Sequence, residues 1–194
     1  MKKILLSLCA IAAICVTACA NGNSKTKDSN SDMKTDNKVL VAYFSATGTT
    51  AGVAEKIADI AGAETIEIQP VEPYTDADLD WNDKNSRSSV EINNPSSRPA
   101  VKPSPVDIAK KYDVIFIGYP IWWDLAPTAV NTFIEQNNLN GKTVIPFATS
   151  GGSTISHSVA QLKKQYPEIN WKDGKLLNDA SDSSIKKWIE SLAL

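Results

Sequence analysis

The sequence predicts a doubly wound α/β domain built on a parallel sheet, and three observations carry that prediction. Apolar runs alternate with amphipathic stretches from residue 39 onward. Two of the runs, residues 39–44 and 114–118, are apolar almost throughout, as strands are when helices cover both faces. The turns after the runs are rich in Gly, Ser, Thr and Trp, and sheets of this class bind ligands beyond the carboxyl ends of their strands.

The elements follow in order. Residues 39–44 form the first buried strand, and Val53, Ile57 and Ile60 recur at helical spacing over 50–61. Residues 65–69 alternate, with Ile66 and Ile68 on one face, which fits an edge strand. Residues 114–118 form the next buried strand. A helix beginning near Pro127 carries Val130, Phe133 and Ile134 on one side, since proline suits the first helical turn. Residues 143–148 form another strand, in which Pro146 lacks a donor and predicts a local break in the ladder. Ile155, Val159, Leu162 and Tyr166 mark a helix over 153–166, and 175–178 is a last short strand. Ser181 or Asp182 caps a final helix that buries Ile185, Trp188, Ile189 and Leu192.

Residues 70–107 break the alternation. One helix is expected there; instead the stretch is polar and holds Pro70, Pro73, Pro95, Pro99, Pro103 and Pro105. So long a connection is functional or disordered. Trp81 and residues 86–92 predict a turn or a short helix within it.

The N-terminal part predicts export. Lys2 and Lys3 precede an apolar run from Ile4 to about Val16, too short to span a membrane comfortably and of the length of a signal core. The run closes on Val16-Thr17-Ala18-Cys19, which resembles the lipobox of bacterial lipoproteins, where the cysteine is lipidated; an ordinary signal cleaved near Ala18 or Ala20 is the simpler reading. Residues 20–37 have almost nothing apolar to bury and predict a disordered tether to a domain at 38–194. The expectation is a membrane-anchored lipoprotein on the extracytoplasmic face.

Composition excludes several chemistries. Cys9, Cys15 and Cys19 are all in the signal, so the mature domain has no disulfide, thiol nucleophile or thiolate metal site. Its single histidine, His157, rules out a histidine metal cluster. Removing Lys2 and Lys3 from 20 basic against 22 acidic side chains leaves a formal net charge of −4, which gives no support for nucleic-acid binding.

Three turns carry the chemistry. Ser45-Ala46-Thr47-Gly48-Thr49-Thr50 joins the first strand to the first helix. Free N–H groups at a helix start and the helix dipole favour an anion there, and the hydroxyls add donors. The loop has no lysine, so it does not match the triphosphate-cleaving Gly-Lys-Ser/Thr loop, and it lacks the three spaced glycines of a dinucleotide loop. It suits a phosphate monoester held without being cleaved. The second turn runs through Pro120, Ile121, Trp122 and Trp123; the two indoles either cap the sheet or offer a face to a flat aromatic ligand. The third, Thr149-Ser150-Gly151-Gly152-Ser153, presents backbone and hydroxyl groups to a polar edge. A serine hydrolase reading fails: Ile155 stands where G-x-S-x-G needs its last glycine, and His157 sits one turn from Ser153 on the same helix, as a surface residue would.

Together these turns resemble the flavodoxin-like family, at a subgroup of bacterial lipoprotein flavodoxins and FMN-dependent oxidoreductases. Ser45, Thr47, Gly48 and Thr50 match its Thr/Ser-x-Thr-Gly-x-Thr phosphate loop, and the other two turns look like its two isoalloxazine loops. Residues 98–100, 112–113, 118–123 and 150–153 are also similar to a bacterial subgroup associated with NAD(P)H or quinone chemistry. The resemblance implies a five-stranded parallel sheet of order 2-1-3-4-5 and noncovalent FMN. Ser45–Thr50 would hold the ribityl phosphate, Ile121–Trp123 the ring, and Thr149–Ser153 the pyrimidine edge. Asp173-Gly174 is followed by Lys175 and so does not match a covalent flavin-attachment motif. Two redox roles follow: an oxidoreductase passing reducing equivalents from NAD(P)H to a quinone-type acceptor, or a carrier serving a redox partner protein. Export moves weight toward a membrane partner or quinol. A flavin-free surface binding module using 70–107 is the third reading.

Overall fold

The computed structural model describes residues 37–194. Cys19, the signal and nearly all of the tether read from the sequence lie outside the described residues.

The strands are β1 (Val39–Tyr43), β2 (Glu64–Glu67), β3 (Val114–Pro120), β4 (Thr143–Thr149), β5 (Asn170–Trp171) and β6 (Lys175–Leu176). All pairings are parallel, and the order is β2-β1-β3-β4-β5, with β6 also on β4. The order expected from the resemblance is therefore present, but its fifth position is shared by two strands of two residues. Pro146 explains the division. The Val144 and Ala148 carbonyls accept from Lys172 N–H at 2.9 Å and Leu177 N–H at 2.9 Å. Pro146, midway between them, faces the same edge with no N–H to give. The break predicted at Pro146 thus falls in its outer neighbour, while β4 itself runs through continuously and pairs Pro146 with Ile117.

The helices are α1 (Thr49–Ala61), α2 (Arg87–Ile92), α3 (Ile108–Lys111), α4 (Thr128–Gln136), α5 (Ser156–Gln165) and α6 (Asp182–Ser191). Strand alternation divides the core cleanly. Val41, Phe116, Ile145 and Phe147 face Val53 and Ile57 of α1 and Ile185 and Trp188 of α6. Leu40, Ile115, Ile117 and Val144 face Val130 and Phe133 of α4 and Val159 and Leu162 of α5. Both faces of the sheet are covered, which is why its strands read as unbroken apolar runs.

Local chemistry sets the helix starts, and two of them, in α4 and α5, lie later than the sequence reading. Pro127 is the cap of α4 and lies just outside it. Helix α5 starts at Ser156, because Ser150 Oγ holds the preceding N–H groups in a turn. Ser181 caps α6 by accepting from Ser184 N–H at 3.3 Å. The periodicity did not reveal α3 or β5, which are too short to show a period.

The 70–107 stretch is ordered and pinned. Its ends meet in an antiparallel bridge between Pro70 and Val101. Turns cross residues 76–83, and α2 follows, capped by Ser86, which accepts from Ser89 N–H at 3.3 Å. Arg87 bonds Glu91 at 2.7 Å and the Glu72 carbonyl at 2.8 Å. Arg98 bonds Glu135 of α4 at 2.9 Å, and Thr132 donates to the Pro99 carbonyl at 3.0 Å. Polar bonds, with Tyr74, Val101 and Val106 packed on the core at scattered positions, replace the periodic apolar stripe of the expected helix, so the segment reads as loop although it is fixed. Among the described residues, no helix is long and apolar enough to cross a membrane.

Candidate functional site

The carboxyl ends of β1, β3 and β4 open onto a cavity of about 600 Å³. It lies at the place where the chain winds in opposite directions, with α1 leaving β1 for one face of the sheet and α4 following β3 to the other. The cavity is lined by Ala46 and Thr47 of the first turn, by Pro120–Trp123 of the second, and by Ser150–Ser153 of the third. Residues 79, 81 and 88, from the 70–107 segment, complete it. No lining side chain carries a formal charge.

The first turn is built to take an anion. Gly48 caps α1 at φ +87, in the left-handed region that glycine occupies without strain. Ser45 Oγ accepts from Ala51 N–H at 3.2 Å and so fixes the loop from within. The N–H groups of Thr47, Gly48, Thr49 and Thr50 have no acceptor among the described residues. Helix α1 has no side-chain cap and no acidic residue in its first turn. Thr47 and Thr49 are exposed, their hydroxyls 3.5 Å apart. A Cβ built on Gly48 meets nothing within 4 Å, so space stands open above the backbone. Adjacent unpaired donors at the positive end of a helix dipole fit a phosphate monoester.

Two threonines of the expected set face inward. Thr50 is 1 % exposed and Thr149 is 4 % exposed, and their hydroxyls bond each other at 2.8 Å. They do not line the cavity; they join the first turn to the third from beneath. The pairing joins residues 99 apart in the chain and gives no local sequence signal.

The two tryptophans of the second turn divide as well. Trp122 and Leu125 exchange backbone bonds of 3.0 and 2.9 Å, which makes Trp123 and Asp124 the centre of a two-residue turn. Both have positive φ, +44 and +60, the form that usually selects Asn-Gly. Holding a tryptophan there stores strain at the cavity rim. Trp123 is thereby turned outward, 44 % exposed. Trp122 is half-buried and packs edge-to-face on Phe44 at 5.6 Å and on Tyr74 at 5.4 Å. The Arg87 guanidinium lies 4.1 Å from the Tyr74 ring centroid, and the Tyr74 hydroxyl donates to Glu91. Burial first, then the Glu91 carboxylate, push the Tyr74 phenol well above its ordinary pKa, so it stays a neutral donor.

The third turn has fewer free donors than its composition suggests. Ser150 N–H donates to Asn178 Oδ1 at 2.8 Å, and Asn178 Nδ2 donates back to the Ser150 carbonyl at 2.5 Å. Ser150 Oγ accepts from Gly152 N–H at 3.1 Å and Ser153 N–H at 2.8 Å. Among the N–H groups of 150–153, that of Gly151 alone has no acceptor within the described residues. His157 is exposed and lines a different cleft of about 280 Å³ between α4 and α5, away from Ser153. Sequence reasoning missed Leu79, Trp81 and Ser88 as lining residues. A tryptophan in an otherwise polar stretch was the available signal.

A flavodoxin family model matches residues 38–192. With the parallel sheet and the three strand-end turns, this places the protein in the flavodoxin family. The chain is similar to a candidate flavoprotein from Bacteroides eggerthii, with 58 % identity, a TM-score of 0.78, and coverage of 82 % of this chain and 99 % of that one. It is similar to another from Bacteroides uniformis, with 55 % identity, a TM-score of 0.76, and coverage of 79 % and 98 %. A flavoprotein from Lactobacillus acidophilus, in complex with FMN, is 28 % identical with a TM-score of 0.62 and coverage of 79 % and 99 %. No curated protein matches the sequence.

Proposed function

We propose that the chain binds FMN noncovalently and serves as a redox protein, tethered to a membrane through a lipid on Cys19. The observation that carries the FMN reading is the run of four unpaired N–H groups at Thr47–Thr50 beside a neutral, aromatic-rimmed cavity. The FMN complex of the Lactobacillus acidophilus relative supports the same reading.

The turn at 45–50 would take the phosphate, with the Thr47 and Thr49 hydroxyls adding donors and the helix dipole balancing part of the charge. Pro120, Ile121, Trp122 and Trp123 would wall the ring, and the Gly151 N–H and the Ser153 side chain would meet its polar edge. Bound FMN supplies the reversible electron and hydride chemistry that these side chains lack. The protein's own part is to orient the ring, exclude water from it, and set the polarity around it.

The expected export bears on the electron donor. A soluble nicotinamide pool is not expected outside the cytoplasm. A protein partner or a quinol therefore fits better. The test is an absorption spectrum after reconstitution with FMN, followed by anaerobic mixing with NADH and NADPH. Tight flavin uptake with no rapid bleaching supports the carrier or quinol-linked role. Rapid bleaching would make the protein an NAD(P)H oxidoreductase, and no uptake would sink the redox reading.

A further inference from the structure

Trp81 stands out among the residues the flavin site did not absorb. The large exposed apolar side chains of the described residues are Val71, Trp81, Val90 and Trp123. Only the two tryptophans line the cavity. Trp81 is 71 % exposed and forms no aromatic pair among the described residues, whereas Trp122 is committed to Phe44 and Tyr74.

The chain around Trp81 is held firmly. Asp78 accepts from Thr75 N–H at 2.8 Å and from Thr75 Oγ1 at 2.7 Å. The Asp78 carbonyl accepts from Ser88 N–H at 3.0 Å. On the other side, Asn82 N–H donates to Asp80 Oδ1 at 2.9 Å, and Ser89 Oγ donates to the Asp83 carbonyl at 2.7 Å. An indole left in water at the tip of a pinned turn costs the burial its surface would otherwise gain. Leu79, two residues away, lines the cavity too. The turn therefore presents a flat apolar face at the rim of a slot that already has one outward-turned indole.

We propose that Trp81 is the second aromatic wall of the flavin slot, stacking on the ring together with Trp123. The 70–107 segment is then part of the cofactor site, supplying the cover that the donor-poor third turn does not. This inference rests on the FMN reading above.

The test uses the reconstituted protein and its Trp81→Ala, Trp81→Phe and Trp123→Ala variants. FMN affinity is measured by fluorescence titration, with the emission of bound flavin and its quenching by iodide. Stacked indole quenches flavin emission by electron transfer and shields the ring. Trp81→Ala is expected to weaken FMN by about three- to tenfold, the effect of one lost aromatic contact. Bound-flavin emission and iodide access should both rise, and Trp81→Phe should keep most of the affinity. Thermal unfolding of the apoprotein should not change, because Trp81 supports little of the fold. Wild-type uptake of FMN with Trp81→Ala matching it in affinity, emission and quenching would overturn this inference alone. Wild-type protein that takes up no FMN would overturn it together with the FMN reading.

Discussion

Gly118 allows the packing of the sheet to be tested at a single atom. It lies in β3, paired with Phe147 of β4. A Cβ built on it falls 2.1 Å from Phe147 Cζ, 2.4 Å from Cε2 and 2.8 Å from Cε1. Ordinary contact begins at 3.4 Å, so the ring tip would have to retreat by about 1.3 Å. Phe147 is fully buried in the cluster that also holds Val53, Leu177 and Ile185, and nothing there can yield that far cheaply. Gly118→Ala should therefore cost about 2–3 kcal/mol, toward the upper end of overpacking effects. For a domain of this size that is roughly 4–12 °C in Tm. Phe147→Leu removes the ring tip and should itself cost about 1–2 kcal/mol in lost burial. The double variant should recover about 1–2 kcal/mol relative to the sum, because the two sites share one clash. Urea unfolding of the four apoproteins measures the cycle. A Gly118→Ala cost below about 0.5 kcal/mol, or strict additivity, would refute the argument.

Three further outcomes are expected. Gly48→Val forces a β-branched residue to φ +87; with nothing within 4 Å of its Cβ the penalty is one of backbone conformation, about 1–2 kcal/mol, and FMN affinity should fall at least about tenfold by titration as the donors turn away. Thr50→Val or Thr149→Val leaves the other buried hydroxyl unpaired, so each should cost about 1–3 kcal/mol in chemical unfolding, with the double variant well short of the sum. The Arg98 guanidinium holds the Glu135 carboxyl below the ordinary carboxylate range, with the Tyr166 hydroxyl assisting. A depressed carboxylate stabilises the fold above its ordinary range and loses that contribution as pH falls through the lowered value. Arg98→Gln should thus flatten the loss of stability between neutral and acid pH, read by urea unfolding at several pH values; an unchanged slope would exclude the pair as a contributor.

The sequence alone determined the alternation of strands and helices and the character of the first turn. Buried strands announce themselves through apolar runs, and helices through their period, because both patterns are local. The turn at 45–50 was equally legible, since an anion cradle at a helix start needs only Gly48, short hydroxyl side chains and a helix that begins there. Tertiary structure decided how the site is assembled. Thr50 and Thr149 lie beneath the cavity, paired with each other, and Asn178 takes the Ser150 backbone groups that a ligand could otherwise have used. Trp122 is bound into an aromatic trio while Trp123, beside it, is turned out. The 70–107 segment brings Leu79, Trp81 and Ser88 to the cavity through polar bonds that have no period to read. Backbone chemistry within a few residues is written in sequence, whereas which donors are already occupied, and which indole stays free, depends on partners brought close only by folding.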